Sequence, residues 1–117
     1  MTTPTTIQPS QLPAPVRDFL AAHVARDADS ALRAFTPTAV VVDVGTTYRG
    51  TDEIRGFLSK AGAEFTYTTT LMAAERTDDA HWVATNRLEG DFPGGVVDLR
   101  YRFAMDGDLI AELVIAP

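Results

Sequence analysis

The chain has 117 residues, 45% apolar and 22% charged, which suits one globular domain with its own core and excludes a disordered chain. It has no cysteine and two histidines, His23 and His81, so disulfides, thiolate chemistry, cysteine-type zinc sites and histidine-rich metal centres are excluded. The net charge of −6 opposes a nucleic-acid partner, because a phosphate backbone would be repelled, and no apolar run approaches the ~20 residues of a membrane span. Residues 1–12 (MTTPTTIQPSQL) are rich in Thr, Pro and Gln and read as a flexible tail, with a single domain over residues 13–117. The tail has no basic stretch followed by an apolar one, so no secretory signal is expected and the expected location is the cytoplasm.

Pro13 and Pro15 suit the first turn of a helix, and Val16, Phe19, Leu20, His23 and Val24 recur at helical spacing after them. Asp27-Ala-Asp-Ser breaks this helix. Asp29 is the expected cap of a second one, whose buried stripe is Ala31, Leu32 and Phe35 and which Pro37 stops. Ala39 to Asp43 is a short β-branched strand, and Gly45 and Gly50 bracket a turn. Thr51 can cap a third helix with the stripe Ile54, Phe57 and Leu58, ending at Gly62. Four strands follow, over residues 64–76, 80–90, 96–105 and 109–116, with Asp106-Gly107 as a hairpin signal. On the second of these, Trp82, Ala84, Asn86 and Leu88 share the expected inward face. On the third, Val97, Leu99, Tyr101, Phe103 and Met105 do so, leaving Asp98, Arg100 and Arg102 outside. Segregated helices and antiparallel strands define an α+β fold.

This order of elements resembles the SnoaL-like branch of the nuclear transport factor 2-like superfamily, which has the ketosteroid isomerase-like fold. Three stretches carry the resemblance: Phe19 to Phe35, the Val40 to Leu58 block with its Asp, Tyr-Arg-Gly and Ile-Arg-Gly-Phe, and Arg102-Phe103 followed by Asp-Gly-Asp-Leu-Ile110. Together they span roughly residues 13 to 117. The resemblance implies a cone-shaped barrel, with three N-terminal helices packed on a curved, mainly antiparallel sheet. It also implies a pocket inside the cone and a homodimer through the outer sheet face. In the ketosteroid isomerases the site is an aspartate base with an oxyanion hole of one tyrosine and one protonated aspartic acid. The base falls on Asp43, the tyrosine on Phe19 and the acid on Leu99, so neither oxyanion donor is present. Each missing donor costs roughly 10²–10³ in rate, which argues against steroid isomerisation by that route.

Asp43 reads either as a base raised by an apolar wall or as an acceptor for the backbone N–H groups of residues 45–47. His23 is either a core histidine or an acid–base partner on the cavity side of the first helix. Tyr48 hangs over the cavity mouth or covers core with its ring. Asn86, on an otherwise apolar face, needs a partner that a ligand or water could supply. Phe19, Phe57, Trp82, Leu99, Tyr101 and Phe103 complete the candidate lining, and the same residues fit a packed core. The expected activity is an isomerase, cyclase or dehydratase with Asp43 as proton acceptor, acting on a small apolar or aromatic ligand without cofactor or metal. The alternative is a non-catalytic binding or scaffold module. Val96, Asp98, Arg100, Arg102 and Thr85 on the outer face fit a dimer surface or a solvated one.

Overall fold

A computed structural model describes residues 3–60 and 65–117. Its elements in chain order are β1 (Thr5–Ile7), a 3-10 turn (Pro9–Gln11), α1 (Ala14–Val24), α2 (Ala28–Leu32), β2 (Phe35–Asp43), β3 (Thr46–Arg49), α3 (Gly50–Lys60), β4 (Tyr67–Asp78), β5 (His81–Gly90), β6 (Val96–Asp106) and β7 (Leu109–Ala116). One seven-stranded sheet runs β1-β4-β5-β6-β7-β2-β3. Every neighbouring pair is antiparallel except β2 with β7. The fold is α+β, as expected, and β4 to β7 form the expected meander. Two features of the expected architecture are corrected. The sheet does not close into a barrel, because β1 and β3 are left as its edges. Only α1 and α2 precede the main strands, and α3 follows the β2–β3 hairpin.

The segment read as a loose tail pairs with the sheet: Thr5, Thr6 and Ile7 lie opposite Arg76, Glu75 and Ala74. Leu12 is fully buried against the core behind it. Helix α2 is capped by Asp27 and not Asp29, since the Asp27 carboxylate accepts the Ser30 backbone N–H at 3.2 Å and the Ser30 hydroxyl at 2.7 Å. Asp29 instead reaches Arg55 on α3, 2.8 Å away. Phe35, expected on a helix, opens β2. Pro37 then sits where the β2–β7 register shifts between Phe35 and Val40, a position that a residue without a backbone N–H tolerates in a ladder. Helix α3 begins at Gly50, so Thr51, expected as its cap, lies inside it, and the Glu53 carboxylate reaches back to accept the Arg49 backbone N–H at 2.9 Å. The expected helix stop at Gly62 lies outside the described residues.

β2 and β3 are joined by Val44 and Gly45, both at positive φ (46° and 90°), the geometry of a two-residue primed turn. A β-branched residue is strained there, and Val44 is exposed, so nothing of its burial offsets that strain. Val44→Asn is expected to stabilise the fold by about 1 kcal/mol, read as a rise of several degrees in thermal unfolding. A different constraint acts at Gly90, where a Cβ would collide with the Thr66 carbonyl oxygen and with Cβ of Tyr67. Gly90→Ala is expected to cost on the order of 1–3 kcal/mol, the range for forced overpacking, and denaturant titration measures it.

The register decides which residues share a face. Asp43, Ile115, Tyr101, Ala84, Ala74 and Ile7 stand in one row across six strands. Ile115, Tyr101, Ala84 and Ala74 are buried, so this row belongs to the face covered by the helices. Val42, Val114, Arg102, Val83 and Glu75 form a row on the opposite face. The covered face holds one core in which Phe19, Val41, Ile54, Phe103, Ile110 and Leu113 are shielded from solvent. Burying apolar side chains of this size contributes ~1.5–3 kcal/mol each and is what holds α1 and α3 to the sheet.

Candidate functional site

At one end of the covered face lies a cavity of about 210 Å³. Asp43, the last residue of β2, opens into it, as do His23 from α1, Phe57 from α3, and Leu99 and Tyr101 from β6. The structure thus brings together four of the sequence-derived candidates around Asp43. Phe65, Tyr67, Leu88, Phe92, Val97 and Ile115 complete the lining. Of these, Phe92 and Ile115 escaped the sequence reading. Phe92 lies in the loop after β5, where alternation gives no facing signal. That loop is tied to the start of β4 by two hydrogen bonds, Asp91 N–H to the Thr66 carbonyl (3.1 Å) and Thr66 N–H to the Asp91 carboxylate (2.8 Å). The tie stands the Phe92 ring edge-on to Phe65 and Tyr67, at 6.1 and 6.5 Å.

Asp43 lies among apolar walls, and burial raises its pKa above the usual carboxylate value. Among the described residues its carboxylate makes no hydrogen bond, including to the turn residues 45–47. The turn-tying role that the sequence left open is therefore not the one its side chain plays. His23 stacks on Phe19 (5.4 Å, 13° between planes) and lies 6.3 Å from both the Phe57 and Tyr101 rings. Burial first, and the Arg26 charge second, hold its pKa down, so its ring is neutral at pH 7. His23 and Asp43 share the cavity wall without an ion pair between them, so the acid–base couple considered from sequence would need a ligand to bridge it. Tyr101 is pushed well above its usual pKa by burial, then by Tyr67 and Asp43, with a hydrogen bond from the Asn86 side chain opposing the shift. Its hydroxyl stays protonated and is a standing donor beside the carboxylate.

The remaining candidates lie elsewhere. Tyr48 packs its ring on Phe57 at 5.0 Å and does not line the cavity. Phe19 and Phe103 (5.8 Å apart) pack with Phe35 in the core and do not line the cavity, and Trp82 packs against that core. Asn86 faces inward and is buried, yet it lines a separate groove beside α1 and touches the site through Tyr101. Asp98 faces outward, paired to Arg87 at 2.8 and 3.1 Å, and the β5–β6 register runs without a bulge to turn it in. A larger hollow of about 500 Å³ lies on the outer sheet face, among Val83, Arg100, Arg102, Ala104, Glu112 and Val114, away from Asp43. Among the described residues no group of three His, Asp or Glu could hold a metal, and no helix is long and apolar enough to cross a membrane.

A fold of helices on one face of this sheet, with an aspartate at the end of β2 facing a small apolar cavity, defines a class, the nuclear transport factor 2-like proteins. The family model for the SnoaL-like domain matches residues 16–113, so the chain belongs to that family. A protein from Sinorhizobium meliloti assigned as a polyketide cyclase is 28% identical and superposes with a TM-score of 0.85, covering 94% of this chain and 100% of its own. The Δ5-3-ketosteroid isomerase from Mycobacterium sp. is 19% identical, with a TM-score of 0.71 over 89% of this chain and 90% of its own. TerC, co-crystallized with polyporic acid, is 15% identical, with a TM-score of 0.74 over 87% of each chain. A comparison with curated proteins finds no match.

Proposed function

We propose that this protein binds a small, flat, largely apolar carbonyl compound in the Asp43 cavity and moves a proton on the carbon next to that carbonyl, as an isomerase or cyclase does. The observation that carries this reading is the Asp43 carboxylate, set in an apolar wall with no hydrogen bond among the described residues. A carboxylate so placed is a stronger base than one in water and has no structural partner to satisfy. Tyr101 supplies the O–H donor for the developing enolate oxygen, and Asn86 holds that hydroxyl in place. The neutral His23 ring can pass the proton on. Proton transfer at an activated carbon needs no cofactor. The cyclase assignment of the Sinorhizobium relative supports a reaction of this type.

The test is hydrogen–deuterium exchange at the activated methylene of 2-tetralone, a bicyclic ketone, followed by NMR. The protein is expected to accelerate exchange above the buffer rate, and no acceleration with this or related bicyclic ketones removes the enzymatic reading. One observation favours a second reading, a non-catalytic binder. The cavity, at about 210 Å³, is below the ~300–1,000 Å³ of common ligand sites. Binding of the ketone without exchange would select that reading.

The same proposal includes a homodimer through the outer sheet face. Val83, Ala104 and Val114 form an apolar centre rimmed by Arg100, Arg102 and Glu112, a pattern that can face its own copy across a two-fold axis. Sedimentation at micromolar concentration is expected to give the dimer mass, and a clean monomer removes the claim.

A further inference from the structure

Helix α1 carries two apolar faces. Val16 and Phe19 are buried in the core, whereas Leu20 and Val24, four residues apart and so on one side of the helix, form a second face beside them. Val24 is 58% exposed. This second face stands across from β4, where Thr69 and Leu71 alternate to the covered side of the sheet, and the groove between them has a volume of about 690 Å³. Its wall includes the buried Asn86, whose side chain bonds to Tyr101 of the Asp43 cavity. Near the start of α1 the groove is bounded by Pro9 and Leu12, and Arg17 is tied there by its Nε–H donating to the Leu12 carbonyl at 3.0 Å. Toward the end of α1 it continues. Val24 and Thr69 also line a hollow of about 350 Å³, which shares His23, Tyr67 and Tyr101 with the Asp43 cavity. The same two elements wall the whole path in order: Leu20, His23 and Val24 along α1, and Leu71, Thr69 and Tyr67 back along β4.

We propose that these hollows form one cleft between α1 and β4 and that it holds a linear alkyl chain, so that the ligand class is a flat carbonyl compound with an alkyl tail. The head lies at Asp43, and the tail passes Tyr67 and Thr69 to run along Val24, Leu20 and Leu71. This inference rests on the reading of the Asp43 cavity as a ligand site and names the class of ligand that it takes. Size assigns the two parts. The Asp43 cavity, at about 210 Å³, is below the ~300–1,000 Å³ of a whole ligand site and has room for a head alone, while the groove lies within that range. From Arg17 to Val24 the helix advances roughly 10 Å, the length of about eight carbons in a staggered chain. Removing the second apolar face of α1 from water is what drives the tail into place.

The test is calorimetric titration of 2-tetralone and a series of its 6-n-alkyl derivatives against the parent protein, Thr69→Trp and Ala21→Trp. In the parent, affinity is expected to rise about two- to fourfold with each added methylene and to level off near eight carbons. The two variants fill the cleft from opposite walls. Tryptophan is favoured in a strand at Thr69, and Ala21 is on the exposed side of α1, so both are expected to fold. Both should bind unsubstituted 2-tetralone within about twofold of the parent, because neither residue lines the Asp43 cavity, and both should lose the gain from the chain. If the parent binds 2-tetralone and gains nothing from the chain, the cleft is overturned and the Asp43 cavity stands as a ligand site. A gain that persists in both folded variants places the chain elsewhere and also overturns the cleft. Failure of 2-tetralone to bind the parent overturns the head site and the cleft together.

Discussion

Asp43→Asn is expected to lose roughly 10²–10⁴ of the exchange rate toward 2-tetralone while folding at least as stably as the parent at pH 7. The amide keeps the shape of the carboxyl group and removes the base. The stability half of the expectation follows from the direction of the pKa shift. Burial raises the Asp43 pKa in the folded protein above the ordinary 3.8, so the fold prefers the neutral acid. That preference contributes in full below the unfolded pKa and is lost as pH rises through the raised folded value. Above that value the fold carries a charge in an apolar wall with no hydrogen bond to compensate it among the described residues. The parent should therefore lose stability relative to Asp43→Asn as pH climbs from about 4 toward 7, and the two denaturant midpoints, measured in parallel, should diverge over that window. A variant less stable than the parent by more than ~1–2 kcal/mol would mean that the carboxylate satisfies a structural donor after all. Unchanged exchange in a well-folded variant would place the base elsewhere.

Phe19→Ala carries the largest expected stability effect, a loss of about 3–5 kcal/mol. The Phe19 ring is fully shielded and meets three others: edge-on to Phe35 at 5.4 Å, edge-on to Phe103 at 5.8 Å and stacked under His23 at 5.4 Å. Removing it opens a cavity between α1, β2 and β6, and such elements cannot collapse into it while the sheet ladder holds their spacing. Against the ~5–15 kcal/mol that stabilises a typical domain, this is a large share. Phe19→Leu, which keeps most of the volume, should cost less than half as much. The alanine variant should also free the His23 ring, so its imidazole is expected to titrate closer to the ordinary value. NMR titration of the His23 ring protons checks this, and an unmoved His23 would mean that Phe19 does not hold it.

The pattern of what the sequence made legible follows from the range of each signal. Strand alternation placed Leu99, Tyr101 and Phe103 on the covered face, and helical spacing put Phe19 and His23 on one side of α1, because both signals are local. Alternation names a face and says nothing of position along it. Asn86 was accordingly placed inward, and it is buried, but it stands opposite Leu71 and lines the groove beside α1. Tyr48 lay near Asp43 in sequence, yet the hairpin carries it back along β2 to face Val41, where it covers Phe57. The N-terminal segment hid its strand because a three-residue edge of Thr and Ile has no periodicity to detect, and its hydrogen bonds go to β4, roughly seventy residues later. The β2–β3 hairpin was missed because Val44 is not a residue that marks such a turn. Pro37 was read as the end of a helix when it marks a break in the β2–β7 ladder, two environments that a missing N–H suits equally.

The parallel pairing of β2 with β7 sets the order in which the site can come into being. Asp43 lies opposite Ile115, and the row that carries Tyr101 reaches it only through that residue. The hairpins of the meander form between near neighbours, whereas this contact joins the first half of the chain to its last strand, and closing so long a loop is slow. During synthesis α1, α2, the β2–β3 hairpin and α3 emerge long before β7 exists to hold them. Until then Asp43 has its β3 partner Thr46 but lacks Ile115 of β7 and the β6 side chains that wall the cavity. The raised pKa of this aspartate thus depends on the completion of folding, and a chain stalled or cut before residue 115 would carry Asp43, His23 and Tyr101 without the β7 residue that walls them together.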